Sequence, residues 1–212
     1  MSGRTVKRSI SVAAIAALAI GMLVPSATVQ ARGDDTDPGL RVGQKAPNAV
    51  VKTIDGEKVK LKDLYGDGPV VITFYRGGWC PFCNRALTTW RDALPEIESA
   101  GARWVAITPQ KPEGIEATKE KLSGNLEVLS DSQFSAAKAF KIFYEIPEQT
   151  QEKLKSYNIF IDKENANGQW QLPHPSTFII DSKGVIRFAE VHVDYRQRTD
   201  PNDVLAALAD ID

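Results

Sequence analysis

Cysteine, histidine and methionine are nearly missing from this chain, with two of each in 212 residues. Two cysteines exclude a small scaffold stapled by several disulfides. The histidines, His174 and His192, stand 18 positions apart, far from the spacing of a zinc finger, and with both cysteines they make only four candidate ligands. No metal and no other cofactor is expected. Charge of either sign is not in excess, since 26 Lys and Arg face 27 Asp and Glu. Such a balance gives no continuous positive face for a phosphate backbone, so no nucleic-acid partner is expected. There is also no apolar run of the roughly 20 residues that a membrane-crossing helix needs.

The longest apolar run, Ile10 to Val24, has 15 residues and no charge. Arg4, Lys7 and Arg8 precede it, Pro25 ends it, and Val29-Gln30-Ala31 follows with small residues where a signal peptidase reads. A retained anchor would need a longer run; the order of basic, apolar and small residues is that of a cleaved secretory signal. Residues 1–31 are therefore expected to be a signal peptide and residues 32–41, polar and acidic, a flexible lead-in. Residues 42–212 then form one domain of ordinary size. The expected location is periplasmic or extracellular, with membrane contact only during export.

Within that domain, Ala49 to Ile54 and Lys58 to Leu61 flank Asp55-Gly56 and predict a hairpin. Val70 to Tyr75 is a continuous apolar, β-branched run suited to a strand buried on both faces. A helix follows from the cysteines, with Leu87, Trp90, Leu94 and Ile97 at helical spacing, a kink at Pro95 and a stop at Gly101. Ala102 to Thr108 predicts a strand, Pro112 to Leu122 a helix stopped at Gly124, Leu126 to Leu129 a short strand, and Ser132 to Phe140 a helix. Residues Lys141 to Leu172 are irregular, with a short helix over Pro147 to Tyr157, and read as an insertion. Thr177 to Ile180 and Val185 to Val193 predict two more strands, and Pro201 to Ile211 a last helix. The alternation predicts an α/β domain with a mixed central sheet flanked by helices, a thioredoxin-like fold with an N-terminal hairpin and an insertion before the Pro175 strand.

The two cysteines sit at one strand-to-helix junction, as Cys80-Pro81-Phe82-Cys83. Residues three apart on a first helical turn bring their sulfurs together, and the helix N-terminus favours a thiolate. That pattern points to thiol redox chemistry. A purely structural disulfide across so short a loop adds little stability and leaves the junction unexplained.

Three segments, Val42-Gly43-Gln44-Lys45-Ala46-Pro47, Phe74 to Asn84 (FYRGGWCPFCN) and Pro175 to Asp181 (PSTFIID), resemble peroxiredoxin-like proteins of the alkyl hydroperoxide reductase/thiol-specific antioxidant family, over nearly the whole chain from Val42 onward. The ending Asp194 to Arg198, then Pro201 and an Ala/Leu helix, resembles the same group. The resemblance implies a cysteine that attacks the peroxide O–O bond, becomes a sulfenic acid and is resolved by a thiol. It aligns Cys83 with the attacking position and Cys80 with the threonine that peroxiredoxins carry three residues earlier. Thioredoxins reverse the emphasis and would make Cys80 the nucleophile.

Supporting residues follow from that frame. Pro175 stands where thioredoxins keep a cis-proline beside the CxxC, or else pre-sets an extended strand start. A cis bond would bring His174 near the thiols as an imidazolium, against the alternative of an exposed loop histidine. Arg76 and Arg85 flank the cysteines and offer positive charge, if they are not merely solvated. Trp79 is expected to cover the site's edge, with plain core packing as the alternative. The leading expectation is an exported thiol-dependent peroxidase cycling Cys80 and Cys83 between dithiol and disulfide, with peroxide as oxidant and an external thioredoxin-like dithiol protein as reductant. The alternatives are a protein disulfide reductase or oxidase acting through Cys80, and a non-enzymatic redox-sensing module that uses the 141–172 insertion. No oligomeric state is assigned.

Overall fold

A computed structural model describes residues 37–123 and 126–211. The signal-peptide residues, half of the lead-in (32–36) and the Gly124 helix stop lie outside the described residues. Strands β1 (Val50–Lys52) and β2 (Lys58–Lys60) form the expected hairpin, Val51 opposite Val59, with Gly56 at φ +87° in the turn. That left-handed backbone is open to glycine at no steric cost.

The apolar run becomes β3 (Val70–Phe74), buried at every position. It pairs in parallel with β4 (Arg103–Thr108) and antiparallel with β8 (Ser176–Ile180). With β5 (Val128–Ser130) and β9 (Ile186–Val191) these strands make one seven-stranded sheet in the order β2-β1-β5-β4-β3-β8-β9. Alternate residues of a strand point to opposite faces, and β3 divides accordingly. Val70, Ile72 and Phe74 enter one core, where the Phe74, Phe140 and Phe178 rings lie 4.8–6.2 Å apart. Val71 and the following Tyr75 enter the other, with Trp90, Trp104 and both cysteines.

The second core is closed by α1 (Pro81–Ser99), which buries Cys83, Leu87, Trp90 and Ile97. These recur at helical spacing and so share one face, and each fully buried large apolar side chain contributes about 1.5–3 kcal/mol. Pro81 occupies the first helical position, where its missing N–H costs nothing. Pro95 lies inside the helix, which continues to Ser99. Helices α2 (Pro112–Leu122) and α6 (Pro201–Leu208) pack beside α1, and Asp200 caps α6 by accepting from the Asn202 N–H at 2.9 Å.

The structure departs from expectation in three places. The helix expected over Ser132 to Phe140 shrinks to α3 (Ser135–Ala139), because the Asp131 carboxylate accepts from the Ala136 and Ala137 N–H groups at 3.1 and 2.8 Å and sets its start. The insertion holds more order than its sequence advertises. Besides α4 (Glu148–Ser156) it contains α5 (Ile161–Glu164) and a ribbon of β6 (Phe143–Glu145) paired with β7 (Gln171–Pro173). Ile146, Ile161 and Leu172 form its own small core, against which Trp79 packs. Third, no cis peptide bond occurs among the described residues. Pro175 is a trans strand-start proline whose carbonyl accepts from the His192 N–H at 2.8 Å, the plainer of its two expected roles.

Candidate active site

The thiols are presented by the segment between β3 and α1. Gly78 lies so near Thr118 that a Cβ there would sit 1.9 Å from the threonine hydroxyl, so no larger residue fits without displacement. The Gly78 N–H donates to Gln110 Oε1 at 2.7 Å, and its carbonyl accepts from Asn84 Nδ2, also at 2.7 Å. Gln110 Nε2 in turn reaches Glu164 Oε2 of α5 at 3.3 Å. Asn84 therefore clamps the loop from α1, and Gln110 from the segment between β4 and α2, which Glu164 ties to the insertion. Asn84 closes the FYRGGWCPFCN segment, whereas nothing in the sequence marks Gln110.

Cys80 is the N-cap of α1 and Cys83 sits on its first turn. Both are free thiols and both are buried, at 1% and 0% exposure. A thioredoxin-like exposed first cysteine is thus absent here. Arg76, itself buried, places Nη1 3.9 Å from the Cys80 sulfur. Its guanidinium lies 4.9 Å from the Trp79 ring centre and 4.5 Å from that of Tyr195, a cation held between two aromatic faces. Tyr195 also meets Phe82 edge-on at 5.8 Å. Arg198 completes the arrangement, donating from Nη2 to the Cys83 sulfur at 3.0 Å.

The remaining expected residues fall out as follows. Trp79 is half-buried and packs both against the core that holds the cysteines and against the small core of the insertion. Arg85 is exposed, 6.0 Å from the Phe82 ring, and takes the solvated alternative. His174 is half-buried rather than exposed. It stacks on Tyr144 at 4.5 Å, and burial, reinforced by the Arg76 charge, holds its pKa below the usual value. Arg198 is the residue that sequence reasoning missed. Its segment carries the family resemblance, but 115 positions separate it from Cys83, and nothing local announces the contact.

The two thiols divide their acidity unevenly. The Cys83 thiol donates to the Cys80 sulfur, and this is the largest influence on Cys80. Against the cost of burial, the Cys83 backbone N–H and the Arg76 and Arg198 charges also act, and Cys80 is lowered to about 5. Burial pushes Cys83 well up, as do its bond to Cys80 and the charge on that sulfur, although Arg198 opposes the rise. The dithiol thus carries one negative charge and one proton at neutral pH. Thiolate absorbance of the reduced protein is expected to titrate one group with a midpoint near pH 5, the second staying protonated well above the ordinary thiol range. Because the Cys80 value lies below that of an unfolded thiol, its contribution to stability grows as pH rises from about 5 towards that unfolded value, and is lost as pH falls through about 5. A single transition near the free-thiol value of about 8.5 would contradict the arrangement.

Beneath Cys83 lies a small cavity, with about 10 Å³ open to the centre of a water molecule. Thr73, Ser176, Thr177, His192, Arg198 and Thr199 supply its polar wall. His192 is buried, with Nε2 3.4 Å from the Thr199 hydroxyl and 3.7 Å from a Glu190 carboxylate oxygen.

A mixed sheet, a buried dithiol at the start of the helix after β3, and an arginine on each sulfur define a thiol oxidoreductase of thioredoxin-like fold. Residues 42–189 match the model of the AhpC/TSA family, and the chain belongs to that family. Peroxiredoxin Bcp of Escherichia coli is 31% identical over 106 residues, covering 50% of this chain and 67% of that protein. The thiol-disulfide oxidoreductase ResA of Bacillus cereus is 32% identical over 74 residues, 35% of this chain and 42% of ResA. In fold, the chain is similar to peroxidoxin BcpB from Mycobacterium tuberculosis, with TM-score 0.65 at 20% identity, covering 82% of this chain and 99% of that one. The protein is accordingly a thiol-dependent peroxidase or oxidoreductase.

Proposed function

We propose that the protein is a dithiol peroxidase in which Cys83 attacks a peroxide, Cys80 resolves the sulfenic acid, and an external dithiol protein reduces the resulting disulfide. The observation that carries this is the enclosure of the reactive sulfurs. Both are essentially inaccessible, Arg198 donates to Cys83, and Cys83, not Cys80, borders a small cavity with a polar wall. A polypeptide disulfide needs an exposed sulfur to approach in line with its S–S bond, whereas a peroxide needs only a seat beside the thiolate.

The test is a single-turnover reaction of the reduced protein with one equivalent of hydrogen peroxide, with thiols counted as tryptophan fluorescence changes. Loss of two thiols per peroxide, much faster than a free cysteine reacts, is the expected result. A rate no greater than that of free cysteine, in a protein that exchanges readily with protein disulfides, rejects the peroxidase assignment.

One observation favours that second function. Cys80 is the sulfur that carries the charge, as a disulfide reductase would require of its nucleophile. Export is also proposed, on the basic, apolar and small-residue order of residues 1–31. Among the described residues no helix is long and apolar enough to cross a membrane.

A further inference from the structure

We infer that Gln110 is the positioning residue of the dithiol and that the insertion acts on Cys80 through it: the Gln110 side chain, oriented by Glu164, holds the turn that sets the Cys80 sulfur against Arg76. This role concerns the geometry of the dithiol itself and is independent of the oxidant that the pair meets.

Residues Gly77 to Cys80 form a tight turn, closed by the Cys80 N–H donating to the Gly77 carbonyl at 3.1 Å. Arg76 enters this turn and Cys80 leaves it, so its closure brings the guanidinium Nη1 within 3.9 Å of the sulfur. The peptide groups at the centre of such a turn point away from the closing bond and need partners of their own. At Gly78 both partners are side chains, Gln110 Oε1 for the N–H and Asn84 Nδ2 for the carbonyl, each at 2.7 Å. Asn84 lies on the same helix as Cys83 and moves with it. Gln110 follows β4, so its bond ties the turn to the sheet.

Gln110 is 1% exposed, and its main chain is fixed on both sides. Its N–H donates to Thr108 Oγ1 at 3.4 Å, and its carbonyl accepts from Ser130 Oγ at 3.1 Å. The side-chain amide lies between two glycines: a Cβ on Gly77 would stand 3.0 Å from its Cδ, and one on Gly114 2.7 Å from its Nε2. So enclosed, the amide accepts from Gly78 with Oε1 and donates to Glu164 Oε2 with Nε2 at 3.3 Å. An amide supplies that acceptor and that donor at once, whereas a carboxylate in its place would face Glu164 acceptor to acceptor. The insertion frames the same segment through the backbone. Lys111 N–H donates to the Glu164 carbonyl at 3.1 Å, and Ala166 N–H to the Pro109 carbonyl at 3.0 Å. The order of the insertion thereby reaches the redox turn through one side chain.

What the turn keeps in place is the set of short-range influences on the Cys80 sulfur. The Cys83 thiol, the Cys83 backbone N–H and the Arg76 and Arg198 charges all favour its thiolate, and each depends on distance. Charge attraction falls inversely with separation, so at an effective dielectric of about 20 a widening of about 2 Å between Arg76 and Cys80 is worth about one pKa unit.

The experiment titrates the ultraviolet thiolate absorbance of the reduced full chain and its variants, with circular dichroism to show that each is folded. Gln110→Met keeps length and neutrality but loses both bonds, and is expected to move the midpoint near pH 5 upward by about one unit. Glu164→Ala is expected to raise it by less, and to add nothing in the Gln110→Met background, because the two residues act in series. Glu164→Gln keeps an acceptor for Gln110 Nε2 and is expected not to raise the midpoint. The sign separates positioning from charge. Removing a carboxylate favours a thiolate through space, so a direct effect of the Glu164 charge would lower the midpoint in both Glu164 variants. An unmoved midpoint in folded Gln110→Met, or a lowered one in Glu164→Ala, makes Gln110 an ordinary buried amide and overturns the role. Should Gln110→Met not fold, the contrast at Glu164 decides alone: a midpoint raised by alanine and not by glutamine supports the role, and equal shifts overturn it.

Discussion

Serine in place of Cys83 is expected to cut peroxide consumption by at least about a thousandfold, since removal of an activated nucleophile leaves only residual effects. Serine in place of Cys80 is expected to leave the first step running and abolish the second. The two variants would then differ in kind. Cys80→Ser should lose one thiol per peroxide and accumulate a sulfenic acid that a cyclic diketone traps, while Cys83→Ser should give no trapped product at useful rates. This asymmetry decides between two opposed signals in the site. Charge rests on Cys80, which the Cys83 thiol and two arginines stabilise; space and the shorter arginine contact belong to Cys83. A proton shift across one hydrogen bond exchanges the charge between the sulfurs, whereas the cavity cannot move. Geometry therefore outweighs the resting charge in assigning the attack. If Cys80→Ser proves inert and Cys83→Ser forms the trapped sulfenic acid, the order is reversed and the site works with thioredoxin polarity.

Much of the frame was legible because its signals are local. The unbroken β-branched run at Val70 to Phe74 can satisfy its packing only between two layers, and it became the central strand. Pro112 and Leu122 bound α2 as their chemistry predicts, proline tolerated at the first turn and an apolar residue ending the buried face. The cysteine spacing placed both sulfurs on one helical turn without any tertiary information. What escaped was set by contacts between distant segments. Strands β6 and β7 have three residues each and are specified by each other and by the core of Ile146, Ile161 and Leu172, not by any run of their own. His174 illustrates the same limit, since the Tyr144 ring it stacks on and the Arg76 charge that, with burial, lowers its pKa both come from other parts of the chain. Arg76 and Arg85 were indistinguishable by distance from the cysteines in sequence; one is buried against the Cys80 sulfur and the other is in solvent.

Arg198 is the most consequential of the residues the sequence concealed, and its replacement by methionine is expected to slow the reaction with hydrogen peroxide by about 10–100-fold. The estimate follows from the loss of one hydrogen bond to a charged group, about 1.5–3 kcal/mol, at about 1.4 kcal/mol per factor of ten. The same guanidinium favours charge on both sulfurs, so the thiolate midpoint near pH 5 should move upward, and the rate should regain part of its loss as pH is raised. Lysine at this position keeps the charge but not the forked donor geometry, and should restore the midpoint more fully than the rate. Arg198 also ties its own segment, donating to the Tyr195 carbonyl, so thermal unfolding of each variant must accompany the kinetics. A loss of stability with an unmoved thiolate midpoint and an unchanged rate would make Arg198 a tether for the Tyr195 cover. A raised midpoint with a lowered rate, in a protein that remains folded, would identify it as the group that makes Cys83 a competent nucleophile.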